Sequence, residues 1–373
     1  MIAHVASRPA LCVVNPFQHG GGAEYQIACL LDVLARRGHL ELHYLARHVD
    51  PRVPQGHYRV SKIGRGNGVP RWGYVTDAVP LYRALSALDP RVIYQRVAGG
   101  YTGICAWYAR RHACRMVWHL SSDNDVSLDN AFGDRNPLRR WLERRSVHYG
   151  LRHAHRIVAQ TTAQSELMRR NFGRAADLVV PNFHPSPGED LDKSGPLTVV
   201  WVSNLKPLKR PEVFVELARG LRDLPQVRFV MVGAPADAWG GPWARELMQA
   251  IATTPGLEFL GIQPQSEVNA LLARAHVFVN TSTREGFPNT FIQAWLRGVP
   301  VLSLDVDPDG ILQREQVGVL AGSPERLAQA LREFLVDPTL REAHARRALA
   351  YASRAHSMQN AETLADLLES EAR

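Results

Sequence analysis

HVFVNTSTREGFPNTFIQAWLRGVP, residues 276–300, is the stretch that decides the fold. An apolar strand, His276–Val279, runs into a polar turn rich in glycine and proline, and a helix opens at Pro288-Asn289-Thr290. A second apolar run, Val299–Leu304, follows that helix directly. Strand, short turn, helix and strand in this order predict a parallel β-α-β unit buried on both faces. Glu285 sits in the turn and Gln293 about one turn into the helix. The helix start sets backbone N–H groups and a positive dipole end beside a carboxylate, which suits a phosphate carrying a sugar. The same residues also fit a plain amphipathic helix with a proline in its first turn and Glu285 as a favourable first-turn acid.

Working outward, the same alternation fills most of the chain. Leu11–Val14 precedes a glycine-rich loop and a helix near Ala23–Arg37. Leu40–Leu45, Val92–Gln95, Arg115–Leu120 and Arg156–Gln160 follow as strands. Near 181–197 the texture changes to a polar, proline-rich run, the best linker candidate. Beyond it come strands at Leu197–Val202, Val227–Val232 and Leu257–Phe259. Helices are expected at Pro211–Leu221, Trp243–Thr253 and Val268–Ala275. From about 325 to 373 only helix is expected. The fold class is therefore α/β, two Rossmann-like domains joined near residue 190.

At 373 residues the chain has room for two domains, and 45% hydrophobic with 21% charged residues is ordinary for a globular protein. No apolar run is long enough to span a bilayer, and the first residues lack a signal-peptide core, so the expected address is the cytoplasm. Cys12, Cys29, Cys105 and Cys114 form no CxxC pair and read as reduced, buried thiols. The net charge of +8 comes almost entirely from arginine; lysine occurs only at 62, 193, 206 and 209. No zinc-finger spacing, RNA-recognition signature or lysine-rich tail accompanies it, so anionic small molecules or an anionic membrane fit better than nucleic acid.

Two further elements carry chemistry. His19-Gly20-Gly21-Gly22-Ala23-Glu24, after the first strand, lets backbone approach a ligand closely, and serves equally as a tight strand-to-helix turn. It lacks the GxGxxG pattern of a nicotinamide site. Ser203-Asn204-Leu205-Lys206-Pro207-Leu208-Lys209-Arg210-Pro211 follows a buried strand, where such sheets bind ligands. Lys206, Lys209 and Arg210 there could neutralise a diphosphate, or form a solvated loop.

In this order and spacing, the three elements resemble the family 4 retaining glycosyltransferases of GT-B architecture. The resemblance runs through Val202–Glu212, Val230–Gly233, Asn280–Gly298 and Pro300–Leu312, and more loosely through Gly21–Glu24, His119 and Arg156–Thr161 to Val180-Pro181-Asn182. It implies two facing domains with a cleft: 1–187 for the acceptor and 196–349 for the nucleotide sugar. A C-terminal helix, 350–373, would pack back on the first domain. It implies transfer of a hexose from a nucleotide-diphosphate sugar to a glycan or lipid-linked acceptor, in surface polysaccharide or lipid-linked oligosaccharide assembly, with retention and without cofactor or metal. Lys209 matches the lysine that pairs with the donor diphosphate, and Glu285 the acid that contacts the donor sugar. His119 matches a histidine near the sugar and leaving phosphate. The backbone of Phe287, Asn289 and Thr290 would hold sugar and phosphate, and Gly21 and Gly22 would approach phosphate and acceptor.

The chain departs from the family at two places. Asn204 stands where an arginine is usual, leaving the diphosphate to Lys209 with help from Lys206 or Arg210. Gln293 replaces the acid that accepts from ribose hydroxyls; its amide still offers one acceptor and two donors. An epimerase or phosphorylase of the same architecture, or an inactive sugar-nucleotide sensor, remain as alternatives. Asp305–Gly310 begins like a calcium loop but has Gln316 at the twelfth place, and Asp123-Asn124-Asp125 resembles a DxD metal site in the wrong context. Residues 134–156 hold seven arginines among Leu138, Trp141, Leu142 and Tyr149. That segment is a basic surface helix, and would also suit docking on an anionic membrane.

Overall fold

The computed structural model describes residues 8–373 except 19, 50–55, 65–72, 129–135, 189, 225 and 237–239. His19 of the glycine-rich loop and residues 134 and 135 of the basic segment thus lie outside the described residues. The chain forms two compact units, residues 1–183 with 358–373, and residues 184–357.

The first unit runs β1 (Ala10–Phe17), α1 (Gly22–Arg37), β2 (Glu41–His48), β3 (Arg59–Lys62), α2 (Ala78–Leu88), β4 (Val92–Gln95), α3 (Gly100–Ala109), β5 (Arg115–His119), α4 (Pro137–His153), β6 (Arg156–Ala159), α5 (Thr162–Phe172) and β7 (Leu178–Val179). Its strands form one parallel sheet in the order β3-β2-β1-β4-β5-β6-β7. β1 buries Leu11–Val14 completely, with Cys12 and Val14 packing to one face and Leu11 and Val13 to the other. Continuous apolar runs are what a strand covered on both faces requires.

The second unit runs β8 (Thr198–Val202), α6 (Pro211–Gly220), β9 (Arg228–Val232), α7 (Gly241–Ala252), β10 (Leu257–Phe259), α8 (Gln265–Arg274), β11 (Val277–Asn280), α9 (Asn289–Trp295), β12 (Val301–Ser303), α10 (Ile311–Arg314), β13 (Gly318–Leu320), α11 (Pro324–Val336) and α12 (Pro338–Ala355). Its parallel sheet is ordered β10-β9-β8-β11-β12-β13. Both sheets reverse their strand order beside their first strand, at β1/β4 and at β8/β11. Such switch points leave a crevice at the carboxyl ends of the strands, where ligands bind.

The last helix, α13 (Gln359–Glu371), belongs to the first unit. Ala361, Leu364, Ala365 and Leu368 form its buried stripe, packed in one cluster with Ile27, Leu30 and Leu34 of α1. Arg37 pairs with Glu362, Asp366 and Glu369, and Arg115 and Arg156 both pair with Glu371. Partly exposed pairs of this kind add under about 1 kcal/mol each, so the apolar stripe does most of the holding.

Residues 350–355, expected in this returning helix, are instead the last turns of α12, with Tyr351 and Ala352 in the second unit's core. No glycine or proline marks the break at His356-Ser357. Within 181–197, expected as linker, Lys193 is tied to the second unit: its Nζ donates to the carbonyls of Leu272 and Ala275 at the end of α8. Three short edge strands, β3, β7 and β13, have no counterpart in the sequence pattern.

Candidate active site

The second unit's switch point is built by two loops. After β8 the chain makes a 3-10 turn, Pro207–Lys209, and Arg210 takes a left-handed conformation (φ 46°) that redirects it into α6. After β11 the stretch Thr281–Pro288 leads into α9. Trp201, 2% exposed, donates its indole N–H to the Thr281 hydroxyl (2.9 Å), and that hydroxyl donates to the Lys209 carbonyl (2.6 Å). Thr283 N–H donates to the Leu208 carbonyl at 3.1 Å. These bonds fix the loops side by side. Lys209 Nζ then forms an ion pair with Glu285 Oε1, which also accepts from the Ser282 hydroxyl (2.8 Å). Both charged side chains remain 19% exposed, so an ammonium and a carboxylate face solvent at the sheet's switch point.

The other expected residues of this unit sit around that pair with varied engagements. Asn204 is exposed and its side-chain oxygen accepts from Ala234 N–H (3.1 Å), tying the loop after β8 to the loop after β9. Gly233 lies there because a Cβ would stand 1.7 Å from the Ser203 carbonyl oxygen. Arg210 lies 3.3 Å from Asp305 and so carries its own counter-ion. Lys206 heads the 3-10 turn, its carbonyl accepting from Lys209 N–H (2.8 Å). The Phe287 ring is core, packed on Trp295 and His356, which leaves only its backbone for a ligand. Asn289 and Thr290 form the first turn of α9, a helix of seven residues. Its contribution is local N–H groups more than a long dipole. Gln293 is 4% exposed and its amide lies 3.4 Å from Asn269 on α8.

In the first unit, the β1/β4 switch point is closed by Asn15, whose Oδ1 accepts from Val97 N–H (3.2 Å) and whose Nδ2 donates to Glu24 (2.8 Å). Gly21 precedes α1, and a Cβ on it would lie 2.4 Å from the Glu24 carboxylate. Gly21 and Gly22 thus open α1, but the buried Glu24 already places negative charge there. His119 ends β5, fully buried, with Nδ1 2.8 Å from the Tyr94 hydroxyl. Burial first, and then the Arg96 guanidinium, hold its pKa well below the ordinary histidine value.

The motifs that resembled metal sites have local duties. Asp125 accepts from the backbone N–H and hydroxyl groups of both Ser121 and Ser122, and burial raises its pKa to about 6. Asp307 accepts from Leu312 N–H at the start of α10. Thr281, Ser282, Arg96 and Tyr94 were not singled out from the sequence. Thr281, Ser282 and Arg96 directly follow the carboxyl ends of β11 and β4, which was the available signal, whereas Tyr94 lies within β4.

Residues 196–337 match the family described as Glycosyl transferases group 1, and residues 21–182 match the Glycosyl transferase 4-like domain. The chain belongs to the group 1 glycosyl transferases. Among curated members of similar sequence is the Glycosyltransferase 1 domain-containing protein 1 of Xenopus tropicalis, 26% identical over 170 residues, covering 45% of this chain and 48% of that protein. A GDP-mannose-dependent alpha-mannosyltransferase of Mycobacterium tuberculosis is 26% identical over 325 residues, 80% of this chain and 79% of that one. The chain thus spans about half the first of these relatives and most of the second. Anabaena Alr3699/HepE, solved in complex with UDP and glucose, shares the fold of this glycosyl transferase with TM-score 0.75 at 18% identity, over 97% of this chain and all of that one. WaaG, a glycosyltransferase involved in lipopolysaccharide biosynthesis, does so with TM-score 0.74 at 15% identity, over 96% of this chain and 99% of that one.

Proposed function

We propose that this protein transfers a hexose from a nucleotide-diphosphate sugar to an acceptor hydroxyl, with retention, in the assembly of surface polysaccharide or a lipid-linked oligosaccharide. The observation that carries the reading is the Lys209–Glu285 pair, held part-exposed at the β8/β11 switch point. The chemistry needs charge stabilisation on the departing diphosphate, and a fixed ammonium beside backbone N–H groups supplies it. Lys209 takes the diphosphate, the first turn of α9 the adjacent phosphate and sugar oxygens, and Glu285 a sugar hydroxyl. With the Glu285 carboxylate committed to Lys209 and Ser282, attack from the leaving-group side, with the departing phosphate taking the acceptor proton, accounts for retention. Metal is not required in this scheme, and chelator should leave the rate unchanged.

The acceptor belongs to the first unit, beside Gly21 and Glu24. Helix α4 supplies a surface for a lipid-linked acceptor. Leu138 and Trp141 are about half exposed, and Arg145 lies over the Trp141 ring at 4.9 Å. The single acid of α4, Glu143, is buried and accepts from Tyr74 N–H. That face fits an anionic membrane on the cytoplasmic side. No helix among the described residues is long and apolar enough to cross one.

The test is release of nucleoside diphosphate from a panel of donors, with the anomeric configuration of the product read by NMR. Binding without release from any donor would replace this reading with a sensor; interconversion of the sugar without an acceptor would replace it with an epimerase. Sedimentation with anionic but not zwitterionic vesicles tests α4.

A further inference from the structure

Phe17 is the last residue of β1, and it is 40% exposed. Every other described phenylalanine belongs to a hydrophobic cluster. Side chains alternate along β1, so Phe17 follows Leu11, Val13 and Asn15 on the face that α1 covers. It stands two residues beyond Asn15, which is tied to Glu24 in the first turn of α1. The ring is therefore at the rim of the crevice, on the switch-point strand and just before the glycine-rich loop.

An exposed ring is ordinarily free to turn, and this one is held. The Phe17 carbonyl accepts from Asn15 Nδ2 (3.1 Å) and from the Tyr44 hydroxyl (2.7 Å). Asn15 and Tyr44 are both buried. Phe17 and His48 are register partners at the ends of β1 and β2, and their rings stack with centroids 4.4 Å apart and planes 12° apart. Gln18 N–H donates to the His48 carbonyl (3.1 Å), so the strands stay joined past the ring. Burial first, then Arg47 and Lys62, lower the His48 pKa, so a neutral imidazole backs the phenyl ring. Arg47 itself is committed to the buried Asp77 at 2.6 Å.

Two buried polar side chains and a stacked imidazole thus fix one aromatic ring that the core does not use. A surface immobile before its ligand arrives loses little entropy on binding. A pyranose has the matching shape: C–H groups on one face, hydroxyls around the edge. The phenyl ring covers the C–H face by burial and dispersion. Asn15 Nδ2 donates to Glu24 Oε1 (2.8 Å) as well as to the Phe17 carbonyl, so a carboxylate for hydroxyls is tied to the same nitrogen. The described residues of β1, the glycine-rich loop, α1 and β2 expose no second large hydrophobic side chain. The patch is one ring wide, the size of a single sugar and too small for a lipid chain. We propose that Phe17, backed by His48, is the stacking platform for a pyranose ring of the acceptor. The acceptor role rests on the transfer reading above; the binding of a sugar ring does not.

NMR of the full-length protein, with and without UDP, tests the site without any turnover. The probes are the α- and β-methyl glycosides of glucose, galactose, mannose and N-acetylglucosamine. The expected result is a saturable shift of the Phe17 ring resonances with at least one of them, and upfield shifts of the C–H protons on one face of that sugar. Phe17→Ala should weaken the best glycoside about tenfold, the scale of one buried ring face. Phe17→Leu, apolar but not flat, should lose most of the same, and Phe17→Trp should keep binding. His48→Ala, which keeps the ring without its backing, should lose less. With that glycoside as acceptor in nucleoside diphosphate release, Phe17→Ala should raise its KM by the same factor. Phe17 resonances unmoved by every glycoside, binding unchanged in Phe17→Leu, or shifts produced by short-chain phosphatidylglycerol micelles and by no glycoside would each overturn the proposal. Shifts at Phe17 without nucleoside diphosphate release from any donor would uphold the site and count against the transfer reading alone.

Discussion

Replacing Glu285 with glutamine separates the two duties of the Lys209–Glu285 pair. In the ligand-free protein the ammonium is committed to the carboxylate, and both side chains are about four-fifths buried. A fully exposed pair is worth about 0–1 kcal/mol, and removing one partner of a fully buried pair costs about 3–5. Here Ser282 still donates to the glutamine oxygen and the freed Lys209 still reaches solvent, so the loss falls near the low end, about 1–2 kcal/mol. An incoming diphosphate must draw Lys209 from Glu285 and is repelled by the carboxylate. Glu285→Gln removes both penalties. At about 1.4 kcal/mol per factor of ten, nucleoside diphosphate should bind roughly tenfold tighter. Turnover should nonetheless fall about a hundredfold, since the oriented sugar contact is lost. Lys209→Ala should weaken nucleoside diphosphate and lower turnover by at least about a hundredfold. Titration calorimetry with UDP and GDP, beside release of nucleoside diphosphate at saturating donor, measures both. Weaker diphosphate binding in Glu285→Gln, or near-wild-type turnover in Lys209→Ala, would refute the assignment.

Gln293→Glu should be tolerated and tighten donor binding through a ribose hydroxyl; complete loss of activity would show that its contact with Asn269 is what the site needs. Gly233→Ala sets a Cβ against the Ser203 carbonyl at a φ of 150°. It should cost about 3 kcal/mol, lowering the melting temperature by roughly 10 °C. His184 is an acid-sensitive group of the second unit: burial, then Arg297 and His356, depress its pKa to about 3. An unfolded histidine binds its proton near 6.5 and the folded one does not, so stability is full above 6.5 and falls as pH drops toward 3. Between about pH 7 and pH 5 the loss should be about 2 kcal/mol by denaturant melts, and His184→Gln should remove that part of the slope.

The inner strands were legible because parallel strands covered on both faces read as apolar runs; Leu11–Val14 lies within β1 and Val92–Gln95 coincides with β4. β3 was not, because Arg59–Lys62 is largely exposed at an edge and carries no apolar run. At the site, Lys209 and Glu285 stood out as single residues in loops of the right kind. Their pairing did not, because 76 positions separate them and only the β8–β11 register brings the loops together. Arg96 and His119 lie on separate segments whose individual patterns say nothing of one another. Gln293 could be placed on its helix by spacing, but which neighbour its amide meets is set by α8.

Another consequence lies in where the chain changes units. His184 and His356, at either end of the second unit's segment, are hydrogen-bonded backbone to backbone at 2.9 Å. On the other side, Phe183 is clasped by the Gln26 side chain, and Asn360 donates to the Pro181 carbonyl. Exit and re-entry therefore share one doorway, and residues 184–357 are topologically a cassette. Such a segment can be lifted out, or exchanged for its counterpart from a relative, without rethreading the remainder. On the proposed assignment of donor and acceptor to the two units, such an exchange grafts donor preference independently of acceptor preference.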